Sequence, residues 1–208
     1  MKKLLIITGP QGSGNHMWSK ILALHPKVFG WSNLLDDYWI GHDQEPFAEY
    51  WKDPDKLTQF DWSTHDYYVT SISVPYMNNG QATVPNIMRF AACAMGCGVQ
   101  VKLAILGRDQ NILEYQESRV RGQSTFEIAL EQYKKIQTWA PTYLSYELLQ
   151  LYRGDYLQQL SSLLEFPIDY ADSEINTILQ EDTNHKYFQP IKHHWVDDLA
   201  KQTSRRWQ

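Results

Sequence analysis

The chain has almost no cysteine: two in 208 residues, Cys93 and Cys97. Four apart in a helix-like stretch, they fit neither a CxxC metal knuckle nor a disulfide framework, and both read as small apolar packing residues. Long apolar runs are missing as well. Met1-Lys2-Lys3 ahead of Leu4-Leu5-Ile6-Ile7 has the outline of an export signal, but the run breaks at once into Thr8-Gly9-Pro10-Gln11-Gly12 and is too short. No stretch approaches the ~20 apolar residues that cross a bilayer, and there is no lipidation motif. The expectation is a soluble, cytoplasmic chain with no membrane partner. Positive charge is in deficit: 19 Lys+Arg against 24 Asp+Glu give a formal charge of −5. That balance argues against nucleic acid as a partner and leaves a local basic pocket open. With 11 Gly and 9 Pro the chain lacks a collagen-like or disordered composition, and its 43% hydrophobic residues supply one substantial core. No repeat or internal linker interrupts it, so residues 1–208 read as a single domain.

What is present is an alternation of strands and helices. Leu4 to Thr8 is a continuous apolar, β-branched run followed directly by glycines, the profile of a central parallel strand buried on both faces. Met17, Ile21 and Leu24 then recur at helical spacing, and His25-Pro26 ends that helix. Residues 27 to 66 are dense in Trp, Tyr and Asp with poor periodicity; loops and short helices over the sheet edge are expected, Glu45 to Trp51 among them. Tyr67 to Val74 reads as a second strand, Pro75 to Gln81 as a loop, Pro85 to Met95 as a helix and Val99 to Leu106 as a third strand. Gln110 to Arg121 reads as helical, and Ser124-Thr125-Phe126-Glu127 has capping-box spacing ahead of Phe126, Leu130, Tyr133 and Ile136. Thr142 to Tyr146 is a short strand and Tyr152 to Leu164 a helix. This order predicts an α/β fold, a three-layer α/β/α domain around a central parallel sheet.

Gly9-Pro10-Gln11-Gly12-Ser13-Gly14-Asn15-His16 keeps the G-x-x-x-x-G frame of a phosphate-binding loop between the first strand and the first helix. Glycines let successive backbone N–H groups converge on an anion, and the helix behind them points its positive dipole end at the same oxygens. ATP-hydrolysing loops follow the last glycine with Lys, for phosphate charge, and Ser/Thr, for Mg²⁺. Asn15 and His16 stand there instead. The pattern favours a phosphate site without the Mg-nucleotide apparatus over a glycine turn that merely packs strand on helix.

Four segments, in order, make the chain resemble the sulfotransferase family, whose members bind 3′-phosphoadenosine 5′-phosphosulfate (PAPS) in a P-loop-like strand, loop and helix without a metal. Gln11-Gly12-Ser13-Gly14-Asn15-His16 is similar to the family's Pro-Lys/Arg-Ser-Gly-Thr-Thr, sharing Ser13 and Gly14, with Gly12 at the place of the basic residue. Leu22-Ala23-Leu24-His25-Pro26 is similar to its Leu-x-x-His-Pro helix end. Ala104-Ile105-Leu106-Gly107-Arg108-Asp109 resembles its Leu-Val-Arg-Asp-Pro, which implies that Arg108 contacts the cofactor's 3′-phosphate. Eight residues on, where the family usually has a phosphate-binding Ser, stands Gln116, able to donate through its amide. Tyr143 to Leu149 and Leu163 to Pro167 resemble the Arg-Tyr-Glu-Asp-Leu segment and the Leu-Gly-Leu/Phe-Pro exit. The resemblance covers about residues 4 to 168. It implies a PAPS site made by Gly12, Ser13, Gly14, Asn15, His16, Arg108 and Gln116, no metal, and sulfuryl transfer to a hydroxyl or amine of a small-molecule or sugar acceptor.

Such transfer needs a base for the acceptor's proton and positive charge for the leaving phosphate oxygen. In the cytosolic branch a His lies on a strand reading Lys-Thr-His-Leu-Pro; the comparable Ser71-Ile72-Ser73-Val74-Pro75 puts Ser73 at its place. In the carbohydrate branch a Glu after His-Pro often serves, and the nearest acids here are Asp36 and Asp37. His16 is the third catalytic candidate, as a donor to the leaving oxygen from a helix N-terminus that favours its neutral form. His16 or Lys102 would stand in for the missing loop cation. Competing readings make Arg108 a surface ion pair, His185, His193 and His194 a solvated loop, and Lys201, Arg205 and Arg206 a basic end or an arm to the 3′-phosphate. Two alternatives stay open for the whole chain. One is a nucleotide or small-molecule kinase in which Asp109 holds a metal and Arg119 and Arg121 clamp phosphate; the other is a non-catalytic nucleotide-binding module of the same fold. The aromatic stretch from Phe29 to Trp62 suits a sugar or a planar ring as acceptor. Oligomeric state is left open.

Overall fold

Successive residues of the first apolar run leave the chain on opposite sides. Leu5 and Ile7 enter one buried cluster and Leu4 and Ile6 another, so strand β1 (Lys3–Gly9) lies between two packed layers. The structure is a computed structural model and describes residues 1–37, 40–78, 81–121 and 125–180, the side chains of 77–78 and 119–121 apart. After β1 come α1 (Asn15–Ala23), β2 (Val28–Phe29), α2 (Ala48–Lys52), β3 (Tyr67–Ser73), β4 (Tyr76–Asn78), β5 (Gln81–Thr83) and α3 (Ile87–Gly96). Then follow β6 (Gln100–Gly107), α4 (Gln110–Arg121), α5 (Phe126–Ile136), β7 (Thr142–Ser145), α6 (Tyr146–Leu164) and α7 (Glu174–Gln180).

The main sheet has five parallel strands in the order β2-β3-β1-β6-β7. The chain winds to one side of β1 and then to the other, and at such a reversal the carboxyl ends of the strands open on a crevice. In the register, Gly9 lies beside Ser73 and Thr8 beside Ile105. Trp18 and Leu22 of α1, Leu157 and Leu160 of α6 and Ile175 of α7 cover one face. Phe47, Trp51, Phe90, Ala94 and Ile136 cover the other. The fold is α/β, with a central parallel sheet flanked by helices. Among the described residues no helix is long and apolar enough to cross a membrane.

Several local expectations give way. The expected loop from Pro75 to Gln81 holds instead an antiparallel hairpin, β4 with β5, in which Tyr76 lies across from Thr83. The last long helix starts at Tyr146, not Tyr152, because Ser145 accepts the Leu148 N–H at 3.2 Å and caps it. That helix kinks at Arg153, whose φ of 42° and ψ of −115° leave the helical region. Ser124, of the expected capping box, lies outside the described residues; the cap position is Thr125, and its hydroxyl donates to the buried Glu117. Lys102 sits across from Leu5 in the amino-terminal half of β6 and pairs with Glu165 at 3.7 Å, at the wrong end of the sheet to serve the glycine loop. Cys93 and Cys97 are free thiols, half-buried against the second cluster.

Glu45 precedes α2 rather than joining it, and it is buried. Its Oε1 accepts the Thr70 hydroxyl at 2.6 Å and the Ser71 N–H at 3.3 Å, while Oε2 accepts the Phe47 N–H at 2.7 Å. Burial raises its pKa from the ordinary 4.5 to about 8, against the pull of those three bonds. The folded chain therefore keeps a proton that the unfolded chain loses above pH 4.5. Stability from this group is complete below that pH and declines as pH rises toward about 8. The decline is at most about 1.4 kcal/mol per pH unit. Glu45→Gln should flatten the slope of urea midpoint against pH across that window, even if its amide fits the Phe47 N–H less well. Parallel slopes for the two proteins would mean that Glu45 titrates alike folded and unfolded.

Candidate functional site

Between β1 and α1 the chain turns tightly. The Ser13 N–H donates to the Pro10 carbonyl at 3.1 Å, and Gly12 and Gly14 take φ of 87° and 97°. Residues with a Cβ reach such conformations only at a cost of about 1–3 kcal/mol. Asn15 holds the loop from inside. Its side-chain amide donates to the Pro10 carbonyl at 3.3 Å and the Ser13 hydroxyl at 3.2 Å, and its Oδ1 accepts the Ser71 hydroxyl at 3.2 Å. Ser13 and Asn15 are buried, so their side chains shape the loop and the backbone faces outward. Among the described residues, the N–H groups of Gly12, Gly14 and Asn15 meet no acceptor. At the amino end of the nine-residue α1 they form an anion-receptive rim.

A cleft of about 840 Å³ opens over this rim. It gathers Gly12, Gly14, Asn15, His16, Asp36, Arg108 and Gln116 from the residues expected at the site, and adds Lys20, His42, Ser73 and Tyr146. Ser13 is not part of its lining; it is buried. Asp37 is exposed and absent from the lining, and its backbone carbonyl accepts the Lys20 ammonium at 2.7 Å.

Arg108 follows β6 directly. Its Nη1 donates to the Gly12 carbonyl, and its guanidinium carbon lies 4.4 Å from the centroid of the Tyr146 ring. The ends of β6 and β7 are tied behind it: Glu147 accepts the Asp109 N–H at 2.8 Å and the Ser145 hydroxyl at 3.2 Å. Arg108 is thus a half-buried clasp over the loop. Asp109 caps α4, its Oδ1 accepting the Ile112 N–H at 3.1 Å. Gln116 reaches from α4 to Gly12: a Cβ built there would meet its Oε1 at 2.7 Å, and that oxygen is buried without a partner among the described residues. The space where the resemblance expects a basic side chain is filled by this amide.

Two imidazoles form the opposite wall. His16 Nε2 donates to the Ile40 carbonyl at 2.8 Å. Burial lowers its pKa, with the Ile40 bond opposing and Lys20 adding to the fall. Burial thus favours the neutral ring, with its Nε2–H on the Ile40 carbonyl. His42 arrives from the short 3-10 turn His42–Gln44, its ring 4.6 Å from that of His16 and its Nε2 2.9 Å from the Ser73 hydroxyl. Burial, and secondarily His16, push it down to about 3. Trp31 packs 5.1 Å and 5.7 Å from the two imidazoles.

Sequence reasoning missed His42 because the segment around it has neither periodicity nor a motif. The available signal was Ser73, at the strand place where the resemblance expects a histidine. Among the described residues no three or more His, Cys, Asp or Glu side chains are grouped to hold a metal ion. The side chains of Arg119 and Arg121, together with His185, His193, His194, Lys201, Arg205 and Arg206, lie outside the described residues. No protein-family model and no curated protein matches the chain.

Gly12→Ala sets a side chain against both the left-handed backbone and Gln116, and should cost about 1–3 kcal/mol of stability. Gly96→Ala, with nothing within 4 Å of the added Cβ and helical backbone around it, should be neutral or stabilising. Denaturant midpoints of the two variants check this, and equal midpoints would mean that the loop is not held in this shape.

Proposed function

We propose that the protein binds PAPS in this cleft and transfers its sulfuryl group to a hydroxyl or amine of a small-molecule or sugar acceptor, as a P-loop-like sulfotransferase of the cytoplasm. The observation that carries the reading is Arg108, held on the Gly12 carbonyl and the Tyr146 ring where a parallel strand ends beside a rim of backbone N–H groups. A planar guanidinium so placed suits two charge-assisted bonds to one phosphate. The rim suits a second anionic group, and neither needs a bound metal. Two phosphorylated positions on one nucleotide match that pair of anion sites.

A second reading keeps the binding and drops the chemistry. It is favoured by Gln116, which puts an amide where the resemblance expects a loop cation. Release of sulfate from PAPS separates the two readings.

The binding test is calorimetric titration with 3′-phosphoadenosine 5′-phosphate; no heat and no thermal shift at millimolar ligand would sink both. Arg108→Ala should weaken that nucleotide by about 2 kcal/mol, roughly 30-fold, and barely change adenosine 5′-phosphate, which lacks the 3′-phosphate. Equal losses on both nucleotides would make Arg108 a part of the loop and remove the strongest residue-level link to sulfuryl transfer.

A further inference from the structure

Ser73 ends β3 beside Gly9, where the glycine loop begins. Its hydroxyl is 2.9 Å from His42 Nε2, and both side chains line the cleft shared by Arg108 and the loop. A serine hydroxyl is a poor base by itself, but one bonded to an imidazole can take a proton on one side while giving its own on the other. Resting on the reading that this cleft moves a sulfuryl group, we propose that Ser73 and His42 form a proton relay for the acceptor, competent only while the anionic donor fills the glycine loop.

The acceptor oxygen forms a bond to sulfur while the bond from sulfur to the bridging phosphate oxygen breaks, and the electron pair of the broken bond leaves with that oxygen. The acceptor's proton passes to Ser73 Oγ as the Ser73 proton passes to His42 Nε2. The relay requires His42 to start as the Nδ1–H tautomer, with its Nε2 lone pair toward Ser73, and to end as an imidazolium.

Without an anion the surroundings oppose that cation. The ring is buried and touches His16, and Lys20 of α1 and Arg108 after β6 line the same cleft. Among the described residues that line the cleft, the carboxylates Asp36, Asp43 and Glu174 act the other way, and all three are exposed and solvated. A phosphosulfate on the rim beside Gly9 and Ser73 adds negative charge at short range and raises the basicity of His42. The relay thus stays off until there is a sulfuryl group to transfer.

The test uses the full chain, 3′-phosphoadenosine 5′-phosphate as binding probe, and PAPS with water as acceptor. Calorimetry near pH 6 in two buffers of different ionisation heat should show more proton uptake on binding in the wild type than in His42→Gln, with affinities within about threefold of each other. Sulfate release should fall about 100-fold or more in Ser73→Ala and in His42→Gln, and no further in the double variant, because each breaks the same relay. His42→Asn replaces His42→Gln if the latter does not fold. The ¹⁵N shifts of His42 should report the Nδ1–H tautomer. Unchanged release, additive losses, equal proton uptake or an Nε2–H tautomer overturns the relay, and the binding of the nucleotide by the same samples leaves the functional reading standing. A wild-type chain that does not bind the nucleotide overturns both.

Discussion

A buried amide has to satisfy its donors and its acceptor within the protein, and Asn15 does so across three segments. Its bonds to Pro10 and Ser13 close the glycine loop, and its bond from Ser71 fastens that loop to β3. The same stretch of β3 is fastened on its other side, where Thr70 and Ser71 donate to Glu45. Glu45 in turn anchors the segment that carries His42 back to Ser73. One chain of buried polar contacts therefore fixes the rim of N–H groups, the strand end and the imidazole wall relative to one another. An Asn at the start of α1, where a nucleotide-hydrolysing loop has Lys, contributes shape rather than charge.

That exchange sets the electrostatics of the cleft. Burial keeps His16 and His42 neutral and holds the Glu45 carboxyl protonated below about pH 8, so the parts that position the site carry little charge of their own. Positive character at the loop comes from backbone N–H groups, the dipole of α1 and the guanidinium of Arg108. The neutral imidazole wall leaves the potential at His42 responsive to a charge bound nearby, because a buried ring is poorly screened by water.

The sheet was legible where one physical signal dominated. Leu4 to Thr8, Tyr67 to Val74 and Val99 to Leu106 are apolar or β-branched enough to read as strands, and the observed ones match to within a residue at each end. Glycine spacing told where β1 turns into α1, and the Arg108-Asp109 pair told where a strand end meets a helix cap. The rest depended on contacts far apart in sequence. The hairpin after Pro75 is held by only three residue pairs, too few for periodicity to register. The early start of α6 rests on a serine cap that is itself the last residue of the strand. Nothing local distinguishes His42 from His25 or His65; its role comes from lying against a serine 31 positions later. Of the expected site, the backbone and strand-end residues converge, while Ser13 and Asp37 fall away because one faces the interior and the other faces solvent.

Moving the cation from the loop to the end of β6 has a consequence for binding. A loop lysine is a flexible point charge that must be ordered each time an anion arrives, at a cost of about 0.5–1.5 kcal/mol for one immobilised side chain. Arg108 is already placed, with one donor on the Gly12 carbonyl and its guanidinium carbon over the Tyr146 ring. Tyr146 is buried and also contacts the site from the other side, lying 3.2 Å from where a Cβ on Gly14 would stand. The guanidinium, the ring and the two glycines therefore constrain one another. An anion there would meet a fork whose orientation is set by the fold, which suits an acceptor with two adjacent oxygens, such as a phosphate, over a spherical ion of equal charge. What the cleft offers an anion is then set by geometry rather than by the net charge of the chain.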